Sequence, residues 1–342
     1  MPRPTLADVA VKAGVGVATV DRVLNARAFV RPETAERVFE AARAIGYHGT
    51  PALRRRVEAR LAHHRLGFLL QAAEQPFYHA LEAVLREACA TAPGARITPE
   101  IAYLPSQRSP DIVAGLAAMA RSVDAIAMVV TDHPAVTATV AELEARGIPV
   151  FALLSDAAPG ARAGYLGVDN LKAGRTAGWL LSRTVRGPGK VAIFVGSHRF
   201  HGHELREIGY RSYLREAAPA LSIIDTQLSL ERPALAHEAV LELLALHADL
   251  RGIYIAGGGT EGAIAALREG SSPGTVALVC NELNDITRAG LADGVVSAVI
   301  STPIVALARE TVAQMTAALA APAAPRSGQT FLPFEIYVSE NI

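Results

Sequence analysis

Small apolar residues recur at helical spacing through TLADVAVKAGVGVATVDRVLN, Thr5 to Asn25, with Gly14 breaking the run and a second periodic run following at once. Thr5 followed three residues later by Asp8 is a capping-box spacing, which starts a helix from Leu6 to about Ala13. A second helix is predicted from about Val17 to Asn25, and a third from Pro32, a good first-turn residue, to Ile45 just before Gly46. Leu6, Val9, Ala10, Val20, Val23, Leu24, Val38, Ala42 and Ile45 give these helices inward faces that none can bury alone. From Arg54 to Arg65 the pattern lapses: RRRVEARLAHHR is charged and lacks a complete apolar face, so it reads as a linker or a marginal helix.

From Leu66 onward apolar runs alternate with helical patterns. The strand candidates are LGFLLQ, ARITPEIAYL, DAIAMVV, PVFALL, AGYLGV, KVAIFVG, GIYIAGG, TVALVCN and VVSAVIS; Ala135–Arg146, Lys172–Thr184 and Leu205–Ala217 have helical period and length. Strands that are apolar throughout and alternate with helices imply parallel sheets covered on both faces, a doubly wound α/β architecture. The β-α series shifts at Gly164–Asn170 and then resumes, which predicts two lobes with a cleft at the carboxyl ends of their strands. The expected division is a helical domain over 1–49, a hinge over 50–64 and a two-lobed domain over 65–342. Its first lobe takes about 65–163 and 298–322, its second about 164–297 and 323–342.

The totals permit this: 342 residues, 51% of them apolar, are ample for several cores. The formal net charge of zero hides an asymmetry, because residues 1–66 carry 12 Lys/Arg against 6 Asp/Glu and the remainder carries the opposite excess. A basic head on an acidic body suggests that the head alone meets a polyanion. Cys89 and Cys280 each sit in an apolar segment and read as reduced core residues. The first residues contain Asp8 and Lys12 and no unbroken apolar stretch, and no run reaches the roughly 18 residues that span a bilayer, so a cytoplasmic protein without membrane contact is expected.

Two short helices joined by a Gly-containing turn in a basic domain fit a helix-turn-helix entering the major groove of DNA, with Ala10, Ala13 and Gly14 small where the helices cross. Val17 and Ala18 start the second helix, and Arg22 one turn later offers a bidentate fork suited to guanine. Together, TLADVAVKAGVGVATVDRVLN and VRPETAERVFEAARAIGY resemble the N-terminal domain of LacI/GalR-family transcriptional regulators. The remainder is similar to that family's periplasmic-binding-protein-like effector domain, through FLLQAAEQPFYHAL, VVTDHPAV, GYLGVDNLKAGRTAGWLL, HELREIGYRSYL and VCNELNDITRAGLADGVVSAVI.

The resemblance implies base contacts from Val17, Ala18 and Arg22, and phosphate contacts from Thr5, Thr19, Asn25 and Tyr47. Gly16 stands where a capping serine is usual. Asp21 replaces a serine and can either accept from cytosine or pair with a neighbouring cation. The linker HGTPALRRRVEARLAHH lacks the family's Pro-Asn entry; Val57 and Leu61 are its candidates for a minor-groove wedge.

In the cleft the resemblance implies effector contacts from Arg206, Phe77, Tyr78, Asn281 and Glu282, with Asp132 as an acceptor at the end of its strand. GGGTEG at 257–262 formally satisfies a dinucleotide fingerprint, with Glu282 about twenty residues on, but lies deep in the chain rather than in the first βα unit. In the resembling family this loop lines the effector cleft, which makes Thr260 and the glycine amides contacts for ligand oxygens. HRFHGH offers His198, His201 and His203 at no structural-zinc spacing and reads as a polar cleft-edge loop.

The whole implies a ligand-responsive, sequence-specific repressor, with no enzymatic activity, metal or cofactor expected. It would bind double-stranded, pseudopalindromic operator DNA as a homodimer and take a sugar-like or polyol effector; the terminal SENI carries no heptad helix for a tetramer seam. The competing readings are an NAD(P)-dependent enzyme built on GGGTEG and a small-molecule binding protein that ignores DNA.

Overall fold

The computed structural model describes residues 4–25, 30–47, 62–71, 75–271, 273–322 and 328–342. The expected hinge residues Val57 and Leu61 lie outside them, as does the side chain of Leu24.

The head is three helices, α1 Leu6–Ala13, α2 Val17–Asn25 and α3 Pro32–Ala44. The capping box forms as its spacing predicts: the Asp8 amide donates to Thr5 Oγ1 at 3.4 Å and the Thr5 amide donates to Asp8 Oδ2 at 2.8 Å. Gly14 closes α1 with φ of 64°, a left-handed conformation that a side chain would strain, and its N–H reaches back to the last turn. Val9, Ala10, Ala13, Val20, Val23, Ala35, Val38, Ala41 and Ala42 form the miniature core, and Leu6, Phe39, Ile45 and Tyr47 pack against it.

In the larger domain, β1 Ala62–Leu70, β2 Ala95–Tyr103, β3 Ala125–Met128, β4 Val150–Leu153, β5 Gly164–Val168 and β12 Gln329–Leu332 form one sheet, in the order β12-β5-β4-β3-β1-β2. The second sheet contains β6 Gly189–Val195, β7 Leu221–Ile223, β9 Leu250–Ile255, β10 Ala277–Asn281, β11 Ala298–Ser301 and β13 Glu335–Tyr337, in the order β13-β11-β10-β9-β6-β7. The short β8, Gln227–Leu228, joins its margin against β6. Pairing is parallel through β3-β4-β5 and β6-β9-β10-β11, with β13 antiparallel to β11. Fully buried strands need helices on both faces. These helices include α4 Pro76–Thr91, α5 Ser109–Met119, α6 Pro134–Ala145, α7 Asn170–Thr184, α8 His201–Ala217, α9 Pro233–Leu246, α10 Thr260–Gly270 and α11 Asp285–Ala292.

Three lobe assignments differ from the sequence reading. Residues 164–168 belong to the first lobe because β5 pairs with β4 in register, Phe151 opposite Gly164; the crossing comes after them, at Asn170. Residues 298–301 belong to the second lobe, paired with β10, and 329–332 return to the first, paired with β5. The first strand also begins earlier than residue 65. Ala62 to Arg65 extend β1 as an exposed or half-buried segment whose polar side chains disguised it as linker.

The helix pair α7–α8 carries the cleft's principal cation and depends on close backbone approach. A Cβ on Gly174 would overlap the carbonyl of Arg206, and one on Gly209 would overlap that of Leu171. Gly174→Ala should therefore lower stability by about 1–3 kcal/mol, as overpacking does. Gly160→Ala, which meets nothing within 4 Å, should leave the thermal midpoint unchanged in the same melting experiment.

Candidate functional site

On α2 the side chains divide by angle. Val20 and Val23 are buried, whereas Val17, Ala18 and Arg22 are exposed, Val17 with 48% of its surface accessible. At about 100° per residue the exposed set spans an arc of roughly 140° opposite the core. That arc joins two apolar side chains suited to a thymine methyl to one guanidinium fork suited to guanine. Asp21 lies inside the arc and is half-buried; Thr19, also half-buried, stands at its margin. Two expected phosphate contacts have local partners here. The Thr5 hydroxyl donates to Asp8 Oδ2 at 2.7 Å as part of the cap, and these bonds hold the Asp8 carboxyl below its ordinary pKa, leaving an anion beside the position. Tyr47 packs against the head's core and donates its amide to the Ala42 carbonyl at 2.9 Å. The side chain of Asn25 lies outside the described residues.

The larger domain holds a cleft between its lobes, with a void of about 800 Å³ including its open mouth. Arg206, at the first buried turns of α8, is its hub, with 6% of its surface accessible. Its Nε donates to Asn170 Oδ1 at 2.7 Å and its Nη1 to the Ala256 carbonyl at 2.8 Å. Asn170 is held in turn by donating to the Leu154 carbonyl at 3.0 Å. Turning the Asn281 amide so that its oxygen faces Arg206 lets it accept from Nη1 at 3.3 Å while its nitrogen donates to Tyr254 Oη at 2.9 Å. A buried guanidinium fixed on two of its nitrogens presents the rest of its fork in one orientation.

Two carboxyls face this cation, and each comes from a left-handed backbone: Glu231 at φ 58° and Glu282 at φ 69°. Such conformations cost non-glycine residues roughly 1–3 kcal/mol and persist only where the surroundings impose them. Glu282 accepts from the Thr302 amide at 2.9 Å and the Thr302 hydroxyl at 2.8 Å. Burial nevertheless raises its pKa, against the opposing pull of Arg206. Burial likewise lifts the Glu231 carboxyl to about 7. His203 is pushed down to about 3 by burial and by Arg206, so it is a neutral ring, and its buried Nδ1 has no hydrogen-bond partner among the described residues. Phe77, Tyr78 and Phe200 supply aromatic surface, Phe77 and Tyr78 meeting edge to face with centroids 5.2 Å apart.

Of the expected effector residues, Phe77, Tyr78, Arg206, Thr260, Asn281 and Glu282 meet in this cleft. Asp132 does not line it: exposed in the loop after β3, it accepts from the Ala158 amide at 3.0 Å and tethers a neighbouring loop. The glycines of GGGTEG have internal reasons. A Cβ on Gly257 would strike the His203 ring, one on Gly258 would crowd Glu231, and one on Gly262 would overlap the Pro233 carbonyl where α9 and α10 cross. With Glu231 seated over Gly258, the loop offers a pyrophosphate neither room nor a favourable field.

Residues 66–323 match the family model described as periplasmic binding protein domain, and residues 5–49 match the model of bacterial regulatory proteins, lacI family. The chain belongs to the periplasmic binding protein domain family, with a lacI-type regulatory head. It is 29% identical over 257 residues to the HTH-type transcriptional regulator GntR of Pseudomonas aeruginosa, covering 74% of this chain and 71% of the relative. The fold is shared with an ABC transporter solute-binding protein of Burkholderia graminis solved with D-arabinose, at TM-score 0.75 and 21% identity over 82% of this chain and 97% of that one. It is also shared with the Actinobacillus succinogenes periplasmic solute-binding protein solved with D-allose, at TM-score 0.74 and 18% identity over 81% and 98%.

In this periplasmic binding protein domain, Gln75, Ser155, Asn170, Phe200, His203 and Glu231 are cleft residues that sequence reasoning did not assign. His203 and Phe200 stood in the HRFHGH cluster, and Gln75 and Asn170 in the segments that carry the family resemblance. His198 and His201 lie outside the cleft, exposed beside Glu207 and Glu204. Among the described residues no group of potential ligands is arranged to hold a metal, and no helix is long and apolar enough to cross a membrane.

Proposed function

We propose that the protein is a cytoplasmic, homodimeric repressor that binds a pseudopalindromic duplex through the α2 face and is controlled by a neutral sugar or polyol held between its lobes. The observation that carries the ligand class is the charge balance of the cleft: one buried cation, Arg206, faces the carboxyls of Glu231 and Glu282 beside a neutral imidazole. A sugar acid would bring a third carboxylate to a single guanidinium. Hydroxyl groups instead donate to the carboxyls, accept from Arg206 and leave an apolar ring face for Phe77 or Phe200. The sugars bound by the structural relatives support the same class.

For the head, Val17, Ala18 and Arg22 on one exposed arc support direct reading of bases, and the proposed Val57 or Leu61 wedge would kink the duplex between half-sites. Thr5, Thr19, Asn25 and Tyr47 remain proposed phosphate contacts, Thr5 only by releasing Asp8. Ligand and DNA would be coupled through the lobe angle by about 1–3 kcal/mol. No reacting centre is proposed.

Two measurements test this. Affinity for fragments of the protein's own upstream DNA should fall on the order of 10³-fold or more between 50 and 200 mM salt, as for 6–10 phosphate contacts. Salt-insensitive, sequence-indifferent binding would reject the repressor. In a thermal-shift screen of D-arabinose, D-allose and other neutral sugars against D-gluconate, a neutral ligand at 100 times its Kd should add about 2.7 kcal/mol. Stabilisation by the sugar acid alone would reverse the assigned ligand class.

A further inference from the structure

Glu231 is held from both sides of the cleft. Its backbone belongs to the second lobe, where its amide donates to Ser229 Oγ at 3.2 Å and Ser229 Oγ donates to the Gly258 carbonyl at 2.7 Å. Its outward bonds cross to the first lobe: Gln75 Nε2 donates to its carbonyl at 3.3 Å, and Gln107 Nε2 donates to its Oε2 at 3.3 Å. Gln107 is itself anchored in the first lobe, its carbonyl accepting from the Thr131 hydroxyl at 3.1 Å. Leu230 and Glu231 both have positive φ, 47° and 58°, so two consecutive non-glycine residues are strained to aim this group across the gap. The side chain is only 8% accessible while the lobes meet. Separating the lobes breaks both glutamine bonds and returns the carboxyl to water.

We propose that Glu231 is a positioning residue that couples lobe closure to the uptake of one proton, making the closed cleft an acid-favoured state. This rests on reading the cleft as the effector site, since closure there is what a bound ligand would bias. The groups facing Glu231 are Arg206 and His203 from α8, Tyr78 from α4, and Glu282 beyond β10, with Gln75 and Gln107 uncharged. Hydrogen bonding from Gln75 and the Gly258 backbone, and then Arg206, oppose protonation, but burial outweighs them and holds the carboxyl at about 7 in the closed form. In the open form, hydrated, it returns toward the ordinary carboxylate value. The sign follows: the closed state binds the extra proton between roughly pH 4.5 and 7, so closure weakens up to tenfold per pH unit through that window and is level above it. Glutamine at 231 keeps an acceptor for Gln107 and never ionises.

The test uses the full chain with neither sugar nor DNA, so its failure is distinct from a failure of the proposed function. Spin labels at exposed sites, Glu142→Cys on α6 of the first lobe and Glu238→Cys on α9 of the second, report the inter-lobe distance; Cys89 and Cys280 are buried. The short-distance population should fall between pH 5 and 7 in the labelled parent. It should stay high and pH-independent in Glu231→Gln and be reduced at every pH in Gln107→Ala. A parent distance unchanged over that range, or a Glu231→Gln variant that follows the parent, overturns the proposal.

Discussion

Arg206→Met should abolish response to any cleft ligand and lower the stability of the larger domain, while operator binding in the absence of ligand persists. The guanidinium is buried, bonds Asn170 and the Ala256 carbonyl, and is the cation nearest two buried carboxyls. Methionine fills much of the same volume but leaves Asn170 Oδ1 and the Ala256 carbonyl without their donor. Removing one partner of a buried, hydrogen-bonded charge typically costs about 3–5 kcal/mol. Glu231 and Glu282 would then lose the cation that, with their hydrogen bonds, opposes their protonation, so their pKa values should rise further. The stability carried by such raised carboxyls is present at low pH and is lost as pH rises through the folded value, so the variant's deficit should be larger at pH 8 than at pH 5. Denaturant titrations at the two pH values, with ligand and DNA titrations alongside, check each element. A variant that keeps parental ligand affinity would remove Arg206 from the site.

Arg22→Ala should act on the opposite end of the chain. The residue is exposed on the α2 arc, and the head's core, formed by Val9, Ala10, Val20, Val23 and Val38 among others, does not include it. Folding stability should therefore change by less than about 0.5 kcal/mol, as for surface substitutions away from special features. Operator affinity should fall by about 1–3 kcal/mol per half-site, while affinity for random DNA at the same salt falls far less, because one bidentate base contact is lost among many phosphate contacts. Ligand binding in the cleft should be unchanged. Damage to DNA and ligand binding alike, by either substitution, would contradict the separation of roles between head and cleft.

Local rules made the head fully legible: a capping box at Thr5 and Asp8, a left-handed Gly14 and Pro32 at a helix start each act within a few residues, and all three helices lie where the spacing puts them. The apolar central strands were equally legible, since burial on both faces leaves a continuous signature. Strands β7, β8, β12 and β13 were missed because each is two to four residues long and includes exposed positions, so none carries an apolar run. The lobe assignments failed for a different reason. Whether residues 164–168 or 298–301 pair with the first sheet or the second is set by register with distant strands, which no local pattern encodes.

The cleft divided along the same line. Arg206 and Asn281 stood in recognisable segments, whereas Glu231 sits in SLERP, which reads as an ordinary turn, and its importance arises from bonds to Gln75 and Gln107 more than a hundred positions away in sequence. Asp132 was expected at the end of its strand, but β3 stops at Met128 and the side chain turns from the following loop to the Ala158 amide, which no local pattern encodes.

The most direct test of the account is selection of duplexes from a random pool by the full chain at about 150 mM salt, followed by sequencing. The account predicts enrichment of a single two-fold-related sequence, its half-sites one helical turn or a multiple apart, that Arg22→Ala fails to enrich. A pool that emerges unenriched, or the same sequence recovered equally well by Arg22→Ala, would contradict it.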